Sequence, residues 1–361
     1  MFFNNIDWGK ILPLSWFGVG VETNTISWGI SYKDLIGNNK FTFTVKTDET
    51  GTSNNDQFTL PLESSFGTNV ATPAIVEWGD GSTDTISSYN QAEITHTYSS
   101  AGSYTIKISD YMRGFRFNNG GDSRKMIEIS NWGIYVNNRG NNFYDCRNMD
   151  VTATDKPTLE KIGGMFRDCH ELETMQPNDW DVGHLTGFAA TFRGCKKFNS
   201  YIGDWDVSNA TTMQTMFLGC DKFNQDITGW DVSNVTAMDR IFQNTDDFNQ
   251  PVGVWDTSSV KKFANAFNNA IGFQQDLSNW DISSITDTSQ LNNFMGNKTG
   301  ANSYGTALYD ALLIAWAGQT VLSGLSPNFG GAQFTSGGAA EAARTSLIND
   351  DGWTITDGGA A

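Results

Sequence analysis

Five tryptophans, Trp180, Trp205, Trp230, Trp255 and Trp280, fall 25 residues apart, and each is followed by Asp. A phenylalanine column, Phe166, Phe192, Phe217, Phe242 and Phe267, keeps the same beat apart from one interval of 26. A second column, Phe198, Phe223, Phe248 and Phe273, keeps it throughout. Large rings recurring at a short fixed period mean that one unit cannot bury its own apolar face, whereas like neighbours can. The chain is therefore expected to stack copies of a single coil.

One copy shows what the coil is expected to contain. In "GWDVSNVTAMDRIFQN", which starts at Gly229, Trp230, Val232 and Asn234 alternate with Asp231 and Ser233, and this predicts a short strand. Val235, Met238 and Phe242 then lie at i, i+3 and i+7, predicting a short helix that Ser233 or Asn234 caps and a left-handed Asn244 ends. A period of 20 to 29 residues is that of a leucine-rich-repeat solenoid. With strands stacked about 4.8 Å apart, the Trp and Phe columns become ladders of rings. Downstream, Leu308, Leu312 and Trp316 predict a longer amphipathic helix, residues 339–348 a second helix, and residues 353–356 a closing strand. Together they read as a cap over the last coil.

Composition bounds the partners. Net charge is -17, from 40 acidic against 23 basic residues. This argues against nucleic acid and against an anionic membrane, both of which need a positive footprint. The 24 Phe, 12 Trp and 10 Tyr supply a core of rings rather than of aliphatic side chains. Cys146, Cys169, Cys195 and Cys220 follow the repeat rather than any zinc spacing. They read as small buried residues between rings, with oxidation in an extracellular setting left open. The apolar run at residues 11–21 is preceded by Asp7 and interrupted by Pro13. It lacks a basic flank and a cleavage site, and is too short to span a bilayer, so neither a signal peptide nor a transmembrane segment is expected.

Reactive constellations are sparse. Asp179 and Asp181 flank Trp180, and Asp204 and Asp206 flank Trp205, the residue types of a glycosidase pair. The next coils offer Gly229 and Val254 at the first position, so solvated, cap-forming carboxylates are the favoured reading. The column Asp206, Asp231, Asp256 and Asp281 has the ligand type that Ca2+ takes, although hydrogen bonding to neighbouring backbone is the favoured reading. No cofactor is otherwise implied. His96, His170 and His184 have no nucleophile at a recognisable spacing, and "GGAQFTSGG" lacks the Lys-Ser/Thr of a phosphate loop.

Two resemblances follow from longer matches. "MFLGCDKFNQDITGWDVSNVTAMDRIF", from Met216, resembles the BspA-type leucine-rich repeat of bacterial surface proteins and some phage structural proteins, and the likeness extends over residues 126–293. Thr245 and Ala270 depart from it by replacing cysteine. "WGDGS" (residues 78–82) and "HTYSSAGSYTIKIS" (residues 96–109) resemble a PKD-type immunoglobulin-like module. Asp80-Gly81 is itself a hairpin signal, and "SYTIKI" alternates as a half-buried strand.

The expected fold is then an all-β PKD/immunoglobulin-like sandwich followed by an α/β leucine-rich-repeat solenoid of 25-residue coils with a C-terminal α/β cap. The segments are residues 1–37 for docking, 38–112 for the sandwich, 113–303 for the solenoid and 304–361 for the cap. Trp8, Trp16, Phe17 and Trp28 are the candidate docking residues, since rings in a segment too short for its own core need a partner surface. An extra strand and loop packed on the sandwich is the alternative.

The resemblance implies surface recognition without catalysis. A virion protein reconciles this with the missing export signal: residues 1–37 would dock on capsid or tail proteins, and the repeats would meet a host surface protein or glycan. Self-association into a homo-oligomer would raise avidity. A bacterial cell-surface adhesin and a carbohydrate-binding or carbohydrate-active protein are the alternatives.

Overall fold

The structure is a computed structural model that describes residues 40–64, 73–109 and 113–361. The docking segment expected at residues 1–37, with Trp8, Trp16, Phe17 and Trp28, lies outside the described residues. Lys40–Ala361 forms one compact unit.

Ten strands are described: β1 (Phe41–Lys46), β2 (Gln57–Thr59), β3 (Ala74–Glu77), β4 (Thr83–Ile86), β5 (Thr95–Thr97), β6 (Ser103–Ser109), β7 (Met126–Asn131), β8 (Val136–Asn137), β9 (Asp150–Val151) and β10 (Thr158–Leu159). Alternation in "FTFTVK" buries Phe41, Phe43 and Val45 on one face of β1. That strand pairs antiparallel with β6 in unbroken register on one side and with β7, with two register shifts, on the other. The result is a six-stranded sheet in the order β4-β3-β6-β1-β7-β9, whose last pairing is parallel. β2 and β5 form a separate two-stranded sheet, as do β8 and β10.

This corrects the expected PKD/immunoglobulin-like sandwich. The main sheet does not end at residue 112 but recruits β7 and β9 from the segment assigned to the repeats. Among the described residues, a two-stranded ribbon stands where a second full sheet was expected. The free edge of β1 is the reason: "MIEISN" offers matching backbone, and the central strand takes it.

The expected α/β leucine-rich-repeat solenoid is corrected as well. Between β10 and residue 306 the backbone holds no α-helix and no strand beyond single-residue parallel bridges, which link Gly187, Thr212, Ala237 and Lys262 in turn. No strand forms over Trp230–Asn234, and no helix over Val235–Phe242. Overlapping turns take their place. The N–H groups of Met216, Leu218 and Cys220 each bond the carbonyl three residues back, while those of Met213, Thr215, Phe217 and Gly219 bond the unit 24 residues ahead. Left-handed residues recur every four positions, at Thr215 and Gly219 and again at Arg240 and Asn244. They break any helix and turn alternate N–H groups toward the neighbouring unit. Asn244 is left-handed as expected, but it closes a turn rather than a helix.

Two α-helices lie in the C-terminal part, α1 (Thr306–Ala317) and α2 (Ala339–Asn349). Tyr309, Leu312 and Trp316 of α1 are buried. The closing strand expected at residues 353–356 is a single bridge, Asn328 to Thr356. Trp353 nevertheless donates its indole N–H to the Leu322 carbonyl at 3.0 Å, as the repeat tryptophans do to theirs.

Candidate recognition surface

The repeated rings lie inside. Phe143, Phe166, Phe192, Phe217, Phe242 and Phe267 stack in sequence at centroid spacings of 5.4 to 6.1 Å. Phe198, Phe223, Phe248 and Phe273 do so at 5.8 to 6.1 Å. Trp230, Trp255 and Trp280 stack at 6.4 Å. Trp180 instead meets Trp132 edge-on at 5.6 Å, where the column ends. The indoles of Trp205, Trp230, Trp255 and Trp280 donate to the carbonyls of Pro177, Ile202, Ile227 and Val252, each 28 residues back. All five repeat tryptophans are 4% exposed or less, so none of them offers a platform to a ligand.

The repeated polar residues are consumed in the same way. Asn199, Asn224 and Asn249 each accept from the backbone N–H 25 residues ahead, at 3.0, 2.9 and 2.8 Å. The same oxygens also take the side-chain amides of Gln225, Gln250 and Gln275. The Sγ atoms of Cys169, Cys195 and Cys220 donate to the carbonyls of Phe143, Phe166 and Phe192. Thr245, standing where cysteine was expected, makes the same bond to Phe217 at 2.7 Å. All four thiols are free, and burial pushes them far above the usual thiol range. Buried thiols of this kind are inert, and those of Cys169, Cys195 and Cys220 serve as hydrogen-bond donors.

The acidic column is also occupied. Asp206 and Asp231 each accept from the N–H and the hydroxyl of the serine two residues on, at 3.0 and 2.6 Å. Asp256 and Asp281 accept from the N–H groups of Ser258 and Ser283. The serine contacts hold Asp206, Asp231 and Asp256 below the usual carboxylate range. Among the described residues no group of three or more His, Cys, Asp or Glu is placed to hold a metal ion. His96 stacks on Trp78 at 4.7 Å and meets Asp80 and Ser82 through one and the same nitrogen, Nε2, at 2.9 and 3.4 Å. A charge-relay base needs its nucleophile and its carboxylate on opposite ring nitrogens, so this cluster is a loop pin.

What remains for a partner is the part of the surface that does not repeat. Tyr201 and Val254, 45% and 68% exposed, are isolated apolar departures. A more organised departure lies on the turn face. There Gln214, Asp239, Arg240, Lys262, Asn265 and Gln290 surround a depression of about 380 Å3 floored by Ala189 and Ala264. Asp239 accepts from the Gln214 amide at 2.6 Å. Arg240 and Lys262 are exposed and form no ion pair within the described residues. Sequence reasoning passed over both. The available signal was weak: their columns, Thr215-Arg240-Asn265 and Thr212-Ala237-Lys262, vary, but so do most adjoining ones, whereas ring columns such as Phe217-Phe242-Phe267 keep one residue type. A larger depression, about 720 Å3, lies against β3 and β6. Its Glu77 and Lys107 sit directly opposite one another in the strand register, which cancels any preference for charge.

The stacked units bury their shared rings, while many of their differing residues lie on the outside. The family described as "Mycoplasma protein of unknown function, DUF285" matches residues 137–237 and 225–296. The chain is similar to that family over the repeats, a stretch short of half its length. Comparison with curated proteins found no match, and neither did comparison with solved structures.

Proposed function

We propose that the chain is a non-enzymatic structural and adhesion protein of a virion surface. Residues 1–37 attach it to the particle, and the repeats are presented outward for contact with a host protein or glycan. One observation carries this reading: the rings, Asn, Cys and Thr that recur from unit to unit are spent on bonds between units, and the recurring Asp on turns within them. That leaves an outer face of differing side chains and no assembled catalytic group among the described residues. Such a face is suited to contact rather than turnover. No helix among the described residues is long and apolar enough to cross a membrane.

A bacterial cell-surface adhesin is the second reading. It is favoured by the name of the matched family, which refers to a cellular organism. Deleting residues 1–37 and measuring incorporation into purified particles separates the two. Loss of incorporation is expected. Undiminished incorporation would end the docking role, and a chain found on cells but never in particles would establish the adhesin reading.

A further inference from the structure

We propose that the depression around Arg240 and Lys262 binds a carboxylate-bearing saccharide, a sugar of uronic- or sialic-acid type within a surface glycan. This rests on the display reading above and specifies what the displayed face recognises.

Charge makes the site unusual. The chain carries -17, and an acidic surface repels anions in general. Arg240 and Lys262 on the rim of one depression outnumber its single carboxylate, Asp239, so the lining is locally positive on an acidic chain. The carboxylates nearby keep their charge but have neutral hydrogen-bond partners, and Asp287 also feels Lys262 electrostatically. Asp239 is bonded to Gln214, and Asp287 accepts from both the N–H and the hydroxyl of Ser289. Arg240 presents a planar fork that matches a carboxylate with two parallel bonds, and Lys262 adds a point charge.

The remaining lining fits hydroxyl groups. Gln214, Asn265 and Gln290 bring amides, each with donors and an acceptor, and their hydrogen bonds to Asp239, Asn268 and Ser289 use only part of that capacity. The alanine floor leaves room, and no aromatic or long aliphatic side chain lines the wall, so an apolar peptide anchor finds nothing to bury against. About 380 Å3 is near the lower end of small-molecule sites, roughly 300–1,000 Å3, the scale of one or two sugar rings.

The site is also pre-set. Arg240 is held in the left-handed conformation (φ 55°), and its N–H bonds the Ala264 carbonyl at 2.9 Å. The Lys262 carbonyl accepts from Met238 N–H at 2.8 Å. Both cations thus spring from backbone fixed by the ladder, which lowers the ordering cost of binding.

The test is calorimetric titration of the full chain at low salt with trigalacturonate, sialyllactose, a neutral galactose trimer and pentaglutamate. At least one acidic saccharide is expected to bind, the neutral trimer not measurably, and the peptide more weakly than the sugar. Replacing both cations (Arg240→Gln with Lys262→Gln) should weaken binding about tenfold or more. Lys222→Gln, at a lysine already paired with Asp247, should leave it unchanged. Saccharide-induced amide shifts centred on Arg240 and Lys262 in the unaltered chain would locate the binding without a variant. The proposal is overturned if neither acidic saccharide binds, if binding survives the double substitution, or if pentaglutamate binds as tightly. Lost sugar binding with particle incorporation intact would sink this site and spare the display reading.

Discussion

The sheet around β1 and the repeats solve one problem by different means. β1 meets β6 through six consecutive residue pairs, from Phe41 with Ile108 to Lys46 with Ser103, so backbone alone sets the register. Adjacent repeat units share only alternate backbone bonds, and the side chains of Asn, Cys, Thr and Trp supply the rest. A side-chain ladder requires a donor or acceptor of the same reach on every rung, as Cys220 and Thr245 show by making the same bond. Repetition meets that requirement, and a sheet built from unlike segments cannot. The difference also bears on where a partner could bind: in the repeats most of what recurs is engaged within the chain, and the side chains that vary are the freer ones.

Trp230→Ala should break the comparison most visibly. It removes a buried indole stacked on Trp255 and orphans the Ile202 carbonyl, at a cost of about 3–5 kcal/mol. Hydrogen exchange should quicken across residues 213–242 while β1 and β6 keep their protection, because each unit leans mainly on its neighbours. Equal loss of protection in β1 would mean that the two regions unfold as one.

Asp122→Ala comes next, at about 3 kcal/mol measured by denaturant unfolding. Asp122 is fully buried and accepts from the N–H groups of Thr52, Ser53 and Thr59. Close by, buried Lys125 donates to the carbonyls of Ser53, Asn54 and Gln57. These two residues fasten the loop between β1 and β2 to the segment before β7. A loss below about 1 kcal/mol would show the fastening to be incidental.

Lys298 gives a subtler signal. It is buried, donates to the carbonyls of Ala270 and Phe273 at 2.5 and 3.0 Å, and burial lowers it to about 8 from 10.5. Between those values the unfolded chain holds a proton that the folded chain lacks, so stability should rise with pH from about 8 to 10.5. Lys298→Met should remove that part of the slope. An unchanged slope would mean that the ammonium is stabilised in place by its carbonyls.

The smallest effect is a gain. Thr215 is β-branched yet left-handed (φ 56°), a conformation that Asn tolerates far better, as Asn265 shows in the corresponding place (φ 58°). Thr215→Asn should stabilise the chain by about 0.5–1 kcal/mol in thermal unfolding. Destabilisation would mean that the threonine has a role the backbone does not reveal.

These cases also mark what sequence could tell. The Trp and Phe columns were legible because large rings at a constant interval leave few alternatives, and helices near residues 306–317 and 339–349 followed from ordinary periodicity. The helix expected over Val235–Phe242 failed for a physical reason. A string of overlapping turns places Met238, Ile241 and Phe242 inward at the same three- and four-residue spacing as a helix face. Only the left-handed Arg240 distinguishes them, and arginine does not announce that conformation. The extension of the sheet into β7 was hidden because pairing partners far apart in the chain share no local pattern. Asp122 and Lys125 each occur once and reach loops about 70 residues away. The direction in which Arg240 and Lys262 face depends on those same turns, so their meeting around one depression could not be read beforehand.

The division between ladder and recognition face is tested most directly by thermal unfolding, with and without the acidic saccharide, of Asn224→Ala beside the Arg240→Gln, Lys262→Gln chain. The first substitution should lower the midpoint by a few degrees, because the Asn249 N–H loses its acceptor, and should keep the saccharide-induced rise. The second should keep the midpoint and lose the rise. An Asn224→Ala protein that melts like the parent, or a doubly substituted one that still gains stability from the sugar, would contradict the account.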